Sequence, residues 1–402
     1  MPRAGYSCRM NILDPYLEPQ LRDLDRQGLL RRLVPLSRAD GAAIVEGGRP
    51  FLNLSGNDYL GLAADRELAA QFYRRLDNDT ILDLFGPGAS ASRLMTGNSG
   101  LYDRLESRLA ELYGTGAALV FNSGYHCNSG ILPALAGKED LILADKLCHA
   151  SLIDGMRLAR AKMMRYRHLD YDQLADILRS TRHRHDRVFI VTESIFSMDG
   201  DVADLRRLTA LKNRFQCVLY LDEAHAVGVL GPRGLGLAEQ EGVTGDIELL
   251  IGTFGKALGG LGGFAVCSAV TAQYLINRAR PLIYSTALPP VCLNWLLFVL
   301  ERIPGLVEER RRLQRLAADL RRNLVNLGLT VGGASHIIPV IVGDSKRALR
   351  AADRLRQQGW WVTAVRPPTV PAHTARLRLS LSAAMDPGDL SLLPAQVAAA
   401  VQ

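Results

Sequence analysis

Two short stretches of the chain carry residue types that can do chemistry. Asp222-Glu-Ala-His225 directly follows the apolar run Cys217–Leu221, and Gly252–Gly263 places a single lysine, Lys256, among six glycines. A lysine in a desolvated pocket loses its charge more readily and becomes a nucleophile. Glycines let the backbone fold closely around a bulky partner. An exposed lysine in a glycine-rich turn is the alternative for the second stretch taken alone.

The four residues Asp222-Glu-Ala-His225 also spell the DEAH box of certain nucleic-acid helicases. That box acts beside an upstream phosphate-binding loop of pattern G-x-x-x-x-G-K-[ST]. Gly-Lys occurs twice in this chain, but Glu139 follows the first pair and Ala257 the second. Neither residue supplies the hydroxyl that would hold magnesium, so the helicase interpretation fails.

Asp222 and Lys256 each follow a predicted buried strand. Ligands of α/β proteins bind beyond the carboxyl ends of such strands, so we expect the two side chains to meet at one edge of a sheet. A pyridoxal phosphate site needs this pair, a lysine for the Schiff base and an aspartate that keeps the pyridine nitrogen protonated. His225 lies three residues beyond Asp222, within reach of the hydroxyl of such a ring.

Strands and helices alternate through the middle of the chain. Most of the predicted strands are continuous apolar runs, which is typical of strands buried on both faces of a parallel sheet covered by helices. These strands are Ala117–Phe121, Leu141–Ala144, Val188–Thr192, Cys217–Leu221, Leu249–Gly252 and Phe264–Cys267. Amphipathic helices are predicted over Leu101–Leu112 and Asp204–Phe215.

The two ends of the chain have a different pattern. Leucines at helical spacing predict a helix from residue 14 that ends near Pro35, and a short strand is predicted over Phe51–Ser55. Beyond residue 300 we predict the helices Leu306–Leu327 and Ser345–Gln358 and the strands Ile337–Val342, Trp360–Ala364 and Arg376–Leu381. Strict alternation in the last strand predicts an antiparallel sheet with one wet face. We therefore expect an N-terminal helical segment (1–50), a large α/β domain (51–290) and a small α+β domain (291–402).

The chain resembles the α-oxoamine synthase family of pyridoxal phosphate enzymes from about Leu29 to Ala384. The resemblance lies in nine motifs: Ser55–Leu62, Gly88–Asn98, Asn122–Tyr125, His149–Leu152, Ser194–Asp201, Asp222–His225, Thr253–Lys256, Tyr284–Thr286 and Arg366–Pro371. It implies the aminotransferase-like fold (fold type I), with a mostly parallel sheet of the seven-stranded type. It also implies a homodimer with shared active sites.

The same resemblance implies roles around the cofactor ring. Lys256 would form the Schiff base and move protons at the substrate Cα, Asp222 would hold the pyridine nitrogen, and His149 would stack on the ring. His225 and Ser197 would lie at the ring hydroxyl. The alternatives are purely structural roles, in which His149 caps a helix and Ser197 is a turn residue.

The phosphate and the substrates have their own implied contacts. Backbone amides of Gly124 and Tyr125 at a helix N-terminus would bind the phosphate, because such amides favour an anion. Further phosphate contacts are implied for Thr253 and, from a second subunit, for Ser285 and Thr286.

Substrate contacts are implied for Arg31, Asn57, Arg366 and Thr369. Arg366 would bind the amino-acid carboxylate through its guanidinium fork, and Arg31 the far carboxylate of a pimeloyl chain. Each arginine also has a plainer explanation, as a solvated helix residue (Arg31) or an exposed loop charge (Arg366).

Members of this family differ in the amino acid and the acyl thioester that they join. The stretches Gly359–Val365, Arg366–Pro371 and Ala375–Ala384 most resemble members that condense L-alanine with pimeloyl-CoA or a pimeloyl-acyl carrier protein in biotin synthesis, with loss of carbon dioxide. The alternative is a sister enzyme that joins glycine or serine to another acyl-CoA. The chain departs from the common pattern at Cys148, His373 and Met385.

Composition bounds the remaining possibilities. The 402 residues are 48% hydrophobic and 22% charged, with a net charge of +7, which suits an anionic substrate or carrier as well as it suits nucleic acid. Six cysteines without a Cys-x-x-Cys pair indicate a reducing, cytoplasmic setting with no disulfide framework and no metal site. Met1–Tyr6 does not resemble a signal peptide, and Trp295–Leu300 is too short to span a membrane. A catalytically silent subunit would usually lack Lys256, so we predict an enzyme. We also predict that it has no nucleic-acid partner and no membrane partner.

Overall fold

The computed structural model describes residues 11–402, so the predictions for Met1–Tyr6 and Cys8 lie outside the described residues. The strands are β1 Ser37–Arg38, β2 Ala43–Glu46, β3 Arg49–Asn53, β4 Ala117–Phe121, β5 Leu141–Asp145, β6 Lys162–Tyr166, β7 Val188–Glu193, β8 Val218–Asp222, β9 Leu249–Thr253, β10 Gly263–Cys267, β11 Ile337–Gly343, β12 Trp360–Trp361, β13 Thr363–Val365 and β14 Ala375–Ser380.

The helices surround and connect these strands. They are α1 Asp14–Arg26, α2 Arg66–Tyr73, α3 Ile81–Phe85, α4 Gly100–Tyr113, α5 Gly124–Leu135, α6 Ala150–Leu158, α7 Tyr171–Thr181, α8 Leu205–Phe215, α9 Leu237–Glu241, α10 Ala269–Arg278, α11 Arg280–Tyr284, α12 Pro290–Leu300, α13 Val307–Asn326, α14 Ser345–Gln357 and α15 Leu393–Val401. Short helical turns occur at Leu62–Ala64, Arg93–Gly97, Arg182–Arg184, Thr244–Asp246 and Ile303–Gly305.

A seven-stranded sheet with the order β4-β10-β9-β8-β7-β5-β6 forms the centre of the fold. The strands β6, β5, β7, β8 and β9 run parallel, and β10 is antiparallel to both of its neighbours. The predicted mostly parallel sheet of the aminotransferase-like fold is therefore confirmed. Sequence reasoning missed β6, because this edge strand is largely exposed and carries Lys162 and Arg165 instead of an apolar run.

Burial on both faces explains the continuous apolar runs. Phe189, Val191 and Ile251 face the helices α5, α6 and α10 on one side of the sheet. Ile190 and Leu250, which alternate with them, belong to the larger core on the other side. Because successive side chains of a strand point to opposite faces, a strand covered on both sides has no polar positions to alternate with.

Two smaller sheets complete the fold, with the orders β1-β2-β3-β12 and β11-β14-β13. The predicted single strand Trp360–Ala364 is wrong in one respect, because it is divided between them. Trp360 pairs in parallel with Leu52 of β3, whereas Ala364 pairs antiparallel with Leu377 of β14. The N-terminal strands thus join the C-terminal part of the chain, and the domain boundaries near residues 50 and 290 stay a prediction.

The N-terminal helix is shorter than predicted and ends at Arg26 instead of near Pro35. Gly28 adopts a left-handed φ of 67°, which a glycine accepts without strain. The amide of Leu29 bonds the carbonyl of Leu24 at 2.7 Å, and the amide of Gly28 bonds that of Asp25 at 2.9 Å. This pair of bonds is a Schellman motif, which terminates a helix whatever the leucine spacing beyond it.

The prediction that Arg376–Leu381 has one wet face is also wrong. Every residue of β14 is buried, including Arg376 and Arg378. Arg376 forms an ion pair with Asp199, and Nε of Arg378 donates to the carbonyl of Ser197 at 2.7 Å. The strand alternates apolar and cationic side chains because its cationic face packs on the loop 194–201, where those groups find partners.

Among residues 11–402, no single helix is long and apolar enough to cross a membrane. One pair of consecutive helical segments, Pro290–Gly305 and Val307–Asn326, reaches the required length and composition together, across a bend of 73°.

Candidate active site

A cavity of about 300 Å³ lies near the carboxyl ends of β7, β8 and β9. Its walls combine residues from both halves of the chain. The strands β8 and β9 lead into the two stretches that carry chemistry. The lining residues are Ser55, Asn57, His149, Ser197, Met198, His225, Lys256, Thr363, Val365 and Arg378. The structure therefore brings together His149, Ser197, His225, Lys256 and Asn57 from the predicted set.

Lys256 begins a chain of short polar contacts. Its Nζ lies 2.7 Å from Nε2 of His225, and Nδ1 of His225 lies 2.6 Å from the hydroxyl of Tyr59. That hydroxyl donates to Oδ1 of Asn57 at 2.9 Å, which leaves its oxygen to accept from His225. Nε2 of His225 then carries no proton and accepts from Lys256. Tyr59, fully buried and absent from the predicted set, thus selects the tautomer of His225.

Burial adjusts the proton affinity of both groups at this contact. Desolvation lowers the pKa of Lys256 to about 8, against the opposing attraction of Asp222 and Glu193. Desolvation, together with the neighbouring Lys256 cation, also lowers the pKa of His225 well below its usual value. A neutral imidazole therefore faces an amine that loses its proton readily near neutral pH, as a nucleophile or general base requires.

Asp222 ends β8 and is held by hydrogen bonds. Its Oδ2 accepts from Nδ2 of Asn128 at 2.7 Å, and its Oδ1 accepts from the amide of Ala224 at 2.9 Å. Asn128 is 1% exposed and also bonds the hydroxyls of Ser151 and Tyr220 at 2.9 and 2.8 Å. Sequence reasoning missed Asn128, although a lone amide on the apolar face of the helix after Asn122–Tyr125 was a signal for it.

His149 caps a helix and lines the cavity at the same time, so its two predicted roles do not exclude each other. Its Nδ1 accepts from the amide of Ser151 at 3.2 Å, which places the residue at the N-cap of α6. Its own amide donates to the buried Glu193 at 2.5 Å. Burial and the nearby Asp222 raise the pKa of Glu193 well above its usual value. Desolvation lowers the pKa of His149, which keeps the ring neutral.

A cradle of backbone groups lies at the N-terminus of α5. The first amides of this helix, at Gly124 and Tyr125, have no intrahelical acceptor. A Cβ on Gly263 would lie 2.5 Å from the amide nitrogen of Gly124, and one on Gly124 would lie 3.6 Å from Cβ of Thr253. The glycine at position 263 therefore leaves the amide of Gly124 unblocked by a side chain, so an anion can approach it.

Ser285 and Thr286 lie after α11 and do not line the cavity. Thr286 is exposed and pairs with Ser92 in a short bridge, and its carbonyl accepts from Nδ2 of Asn122 at 2.7 Å. Their contribution to a second subunit stays a prediction.

Arg31, Arg366 and Thr369 form a separate cluster beyond Val365. The guanidinium of Arg366 donates to the carbonyl of Gly28, and Nη2 of Arg31 lies 3.0 Å from the hydroxyl of Thr369. Desolvation and the neighbouring Arg31 lower the pKa of Arg366. None of the three residues lines the cavity that contains Lys256.

Arg378 is the guanidinium that the structure places in this cavity, and sequence reasoning did not single it out. It is 7% exposed, and its Nη2 donates to Oδ1 of Asn57 at 3.2 Å. Within residues 11–402 no carboxylate forms an ion pair with it, in contrast to Arg376. An Arg-x-Arg pair inside an apolar strand was the available signal, because a buried guanidinium needs a partner.

Glu223, the second residue of the DEAH-like stretch, has a structural role. Its carboxylate accepts from the amides of Leu237 and Ala238 at 3.1 and 2.8 Å, at the start of α9. Burial raises its pKa to about 7. The resemblance to a helicase box is thus incidental, because Glu223 holds the start of α9 and His225 contacts Lys256.

Comparison with known proteins agrees with this geometry. Aminotransferase class I and II matches residues 49–394. A putative 8-amino-7-oxononanoate synthase of Pasteurella multocida is 48% identical, covering 92% of this chain and 95% of its own. The 8-amino-7-oxononanoate synthase of Chlorobaculum parvum is 52% identical, covering 85% of this chain and 88% of its own. The chain belongs to the 8-amino-7-oxononanoate synthase family.

Solved structures share the fold of this family. Serine palmitoyltransferase of Sphingomonas wittichii superposes with a TM-score of 0.88 at 28% identity, over 98% of both chains. An 8-amino-7-oxononanoate synthase of Francisella tularensis superposes with a TM-score of 0.74 at 29% identity, over 87% of this chain and 98% of that one. The predicted membership in the α-oxoamine synthases is confirmed, and with it a pyridoxal-phosphate-dependent acyltransferase.

The residues of this member of the family fit pyridoxal phosphate. Lys256 supplies a buried amine, Asp222 a buried carboxylate for the pyridine nitrogen, and His149 a neutral ring on the cavity wall. The glycine-cleared cradle at Gly124 supplies amides for the phosphate. For residues 11–402, no group of three His, Cys, Asp or Glu side chains is placed to hold a metal ion.

Proposed function

We propose that this enzyme condenses L-alanine with a pimeloyl thioester to give 8-amino-7-oxononanoate, carbon dioxide and a free thiol. The observation that carries the proposal is one small cavity in which the amine of Lys256 lies in the same space as the unpaired guanidinium of Arg378. An amino acid offers a carboxylate, which the guanidinium of Arg378 can bind, and a Cα proton, which the amine of Lys256 can remove. Relatives about half identical to this chain, named for this product, support the choice within the family.

Arg378 holds the carboxylate of L-alanine. Its Nη1 makes no hydrogen bond to the described residues, and its Nη2 makes only long bonds to Asn57 and the hydroxyl of Tyr59, at 3.2 and 3.5 Å, so the fork can donate to a carboxylate. The carbonyl of Ser197 accepts from Nε at 2.7 Å and holds the guanidinium in the cavity. Arg366, for which the sequence predicted this role, lies outside the cavity and is assigned to the other substrate.

Lys256 moves the protons. Pyridoxal phosphate, when bound, draws electron density from the carbon that bears the substrate nitrogen. With its pKa near 8, the amine of Lys256 takes the proton from the alanine Cα and later returns one to the product carbon. His225, a hydrogen-bond acceptor at Nε2, orients that amine, and the carboxylate of Asp222 is held in place by Asn128 and the amide of Ala224.

The acyl group arrives from the side where Val365 lines the cavity. With the carboxylate held by Arg378 and the Cα proton held by Lys256, the alanine Cα would form its bond to the thioester carbonyl carbon as the carbon–sulfur bond breaks, and the released thiolate would take its proton from solvent. The carboxylate at Arg378 is then lost as carbon dioxide. Arg31 and Arg366, adjacent cations beside Thr369, bind the far carboxylate of the pimeloyl chain, since two guanidinium groups at short range attract one carboxylate more strongly than either alone.

We further propose a cytoplasmic homodimer. Thr286 and Tyr284 are exposed in the isolated chain, and Tyr284 is 71% exposed, as expected of residues that a second subunit covers. Ser285 and Thr286 would then approach the phosphate cradle of the partner subunit. Pimeloyl-CoA and a pimeloyl-acyl carrier protein are both anionic thioesters, and the net charge of +7 favours either.

An amino-acid challenge tests the proposal. Purified, cofactor-loaded enzyme receives L-alanine, glycine or L-serine, each with and without pimeloyl-CoA, while the visible spectrum and free thiol are followed. We expect thiol release only with L-alanine and pimeloyl-CoA together. Release with glycine, or with a short acyl-CoA in place of pimeloyl-CoA, would refute the proposed substrates and assign a sister activity of the family.

A further inference from the structure

A second cavity, of about 380 Å³, lies between α13 and the loops that support the active site. None of its lining residues belongs to the cavity that contains Lys256. The lining residues are Val202, Val229, Leu230, Leu237, Gln240, Gln314, Ala317, Ala318, Arg321, Ala334, Ser335 and His336. Nothing in the proposed reaction uses this space.

The cavity has an apolar floor and a polar rim. Val229, Leu237 and Ala317 are buried at its base, each at most 3% exposed. Gln240 and Gln314 are exposed at its mouth. Such an arrangement suits a ligand with a short apolar body and one polar end.

Two polar atoms of wall residues, each shielded from the cavity itself, have no hydrogen-bond partner among residues 11–402. They are Nε2 of His336, a side chain only 4% exposed, and Nε of Arg321. Arg321 has no carboxylate partner within the described part of the chain, and its Nη2 donates only to the carbonyl of Ser335, at 2.5 Å. Burial, with the nearby Arg378 cation, lowers the pKa of His336 to about 3, so its ring is neutral and can donate from one nitrogen.

We propose that this second cavity binds a short aliphatic carboxylate. Its carboxylate accepts from the guanidinium of Arg321, whose Nη1 has no hydrogen-bond partner among the described residues, and its chain lies on Val229, Leu237 and Ala317. A neutral ligand would leave the Arg321 cation unpaired, and a phosphate group would leave the apolar floor uncovered.

The side chain of Tyr59 links the second cavity to the catalytic residues. The ring of His336 packs against the ring of Tyr59 with centroids 4.1 Å apart, and the hydroxyl of Tyr59 contacts His225. The wall residues Ala334 and Ser335 also donate from their amides to the carbonyl of Gly200 at 2.9 and 3.2 Å. A ligand in the second cavity therefore contacts the residues that support the Lys256 site without entering it.

Crystals of the cofactor-loaded enzyme soaked in 6-bromohexanoate locate the ligand through the anomalous scattering of bromine. We expect a bromine peak between α13 and Val229, with the carboxylate at Arg321. A peak only beside Lys256, where a pimeloyl-like chain would also fit, or no peak at all, would overturn the proposal. This measurement needs no variant and does not depend on turnover.

Calorimetric titration of the holoenzyme with hexanoate provides the matched comparison. Arg321→Gln should weaken binding by roughly tenfold or more, as loss of a charge-assisted hydrogen bond does. Arg322→Gln is the control, since its neighbouring guanidinium is exposed and pairs with Asp319. Ala317→Leu fills the floor without changing charge and should also weaken binding. Equal affinity in the wild type and in Arg321→Gln would refute the site.

Discussion

The amine of Lys256 and the imidazole of His225 lie 2.7 Å apart, and the tautomer of that imidazole is set from its far side by Tyr59. The hydroxyl of Tyr59 has one proton, which it gives to Asn57. His225 must then donate from Nδ1, and its Nε2 is left to accept from Lys256. A residue that does not line the catalytic cavity thus decides how the reactive amine is held.

Tyr59→Phe should therefore lower kcat more than it raises KM. Without the hydroxyl, His225 can move its proton to Nε2 and no longer orients Lys256, so we expect kcat to fall roughly tenfold to a hundredfold, the range typical of a misplaced acid–base group. A pH–rate profile should show the basic limb displaced. Tyr102→Phe is the control, because that buried hydroxyl accepts from the amide of Leu288 at 2.7 Å and forms no hydrogen bond to His225 or Lys256. Equal losses in both variants would argue against the tautomer role.

Lys256→Ala should abolish multiple turnover, since no other lysine of residues 11–402 lines the cavity to move the Cα proton. The cradle at Gly124, the Asp222 carboxylate and the His149 ring remain, so the variant should still retain the cofactor by non-covalent contacts. Thiol release under saturating substrates and the ratio of bound cofactor to protein after gel filtration measure the two outcomes. Sustained release at the wild-type rate would end the proposed mechanism.

Arg378→Met should raise the KM for L-alanine roughly a hundredfold, because hydrogen bonds to a charged group contribute about 1.5–3 kcal/mol. The KM for pimeloyl-CoA should change little. Arg366→Met should show the reverse pattern, with the larger effect on the acyl substrate. Steady-state kinetics with each substrate varied in turn distinguishes the two arginines, and a larger alanine effect in Arg366→Met would restore the role predicted from sequence.

His168 should make stability depend on pH. Its ring lies 2.9 Å from Asp145 and 3.1 Å from Asp201. Burial disfavours the charged ring, but hydrogen bonds to both carboxylates outweigh burial and raise the pKa of His168 to about 9. A folded-state pKa above the ordinary 6.5 stabilises the fold fully below pH 6.5, and this stabilisation is lost as the pH rises through 9.

Thermal melts between pH 6 and pH 10 check this expectation, with the wild-type Tm falling by a few degrees over the range. His168→Gln should start lower and show a flatter profile, because the titrating group is gone. Parallel profiles for the two proteins would exclude His168 as the source.

His373→Gly should raise the free energy of unfolding by up to about 1 kcal/mol. His373 has a φ of 64°, a left-handed conformation that costs a residue with a Cβ roughly 1–2 kcal/mol, and the greater chain entropy of glycine in the unfolded state offsets part of the gain. His373→Ala keeps the Cβ and should bring no gain. Urea denaturation of the three proteins measures the difference, and a gain from alanine equal to that from glycine would locate the effect in the side chain instead of the backbone.

Local patterns in the sequence were enough for most of the elements and for the centre of the site. Continuous apolar runs predicted six strands of the central sheet because strands covered on both faces have no polar positions. The placement of Asp222 and Lys256 after two such strands predicted that they meet at one edge, because parallel strands end together. Gly28 also carried the signal that ends α1, although the leucine spacing obscured it.

Contacts between distant parts of the chain decided the rest. Whether Arg366 or Arg378 enters the cavity depends on how β14 packs against the loop that carries Ser197, 181 residues earlier in the chain. The division of Trp360–Ala364 between two sheets depends on pairing with Leu52. Periodicity records which faces of a segment are apolar, but it does not record which distant segment covers each face. For that reason the sequence determined the lysine, the aspartate and their sheet, and only the tertiary structure decided which guanidinium and which hydroxyl complete the site.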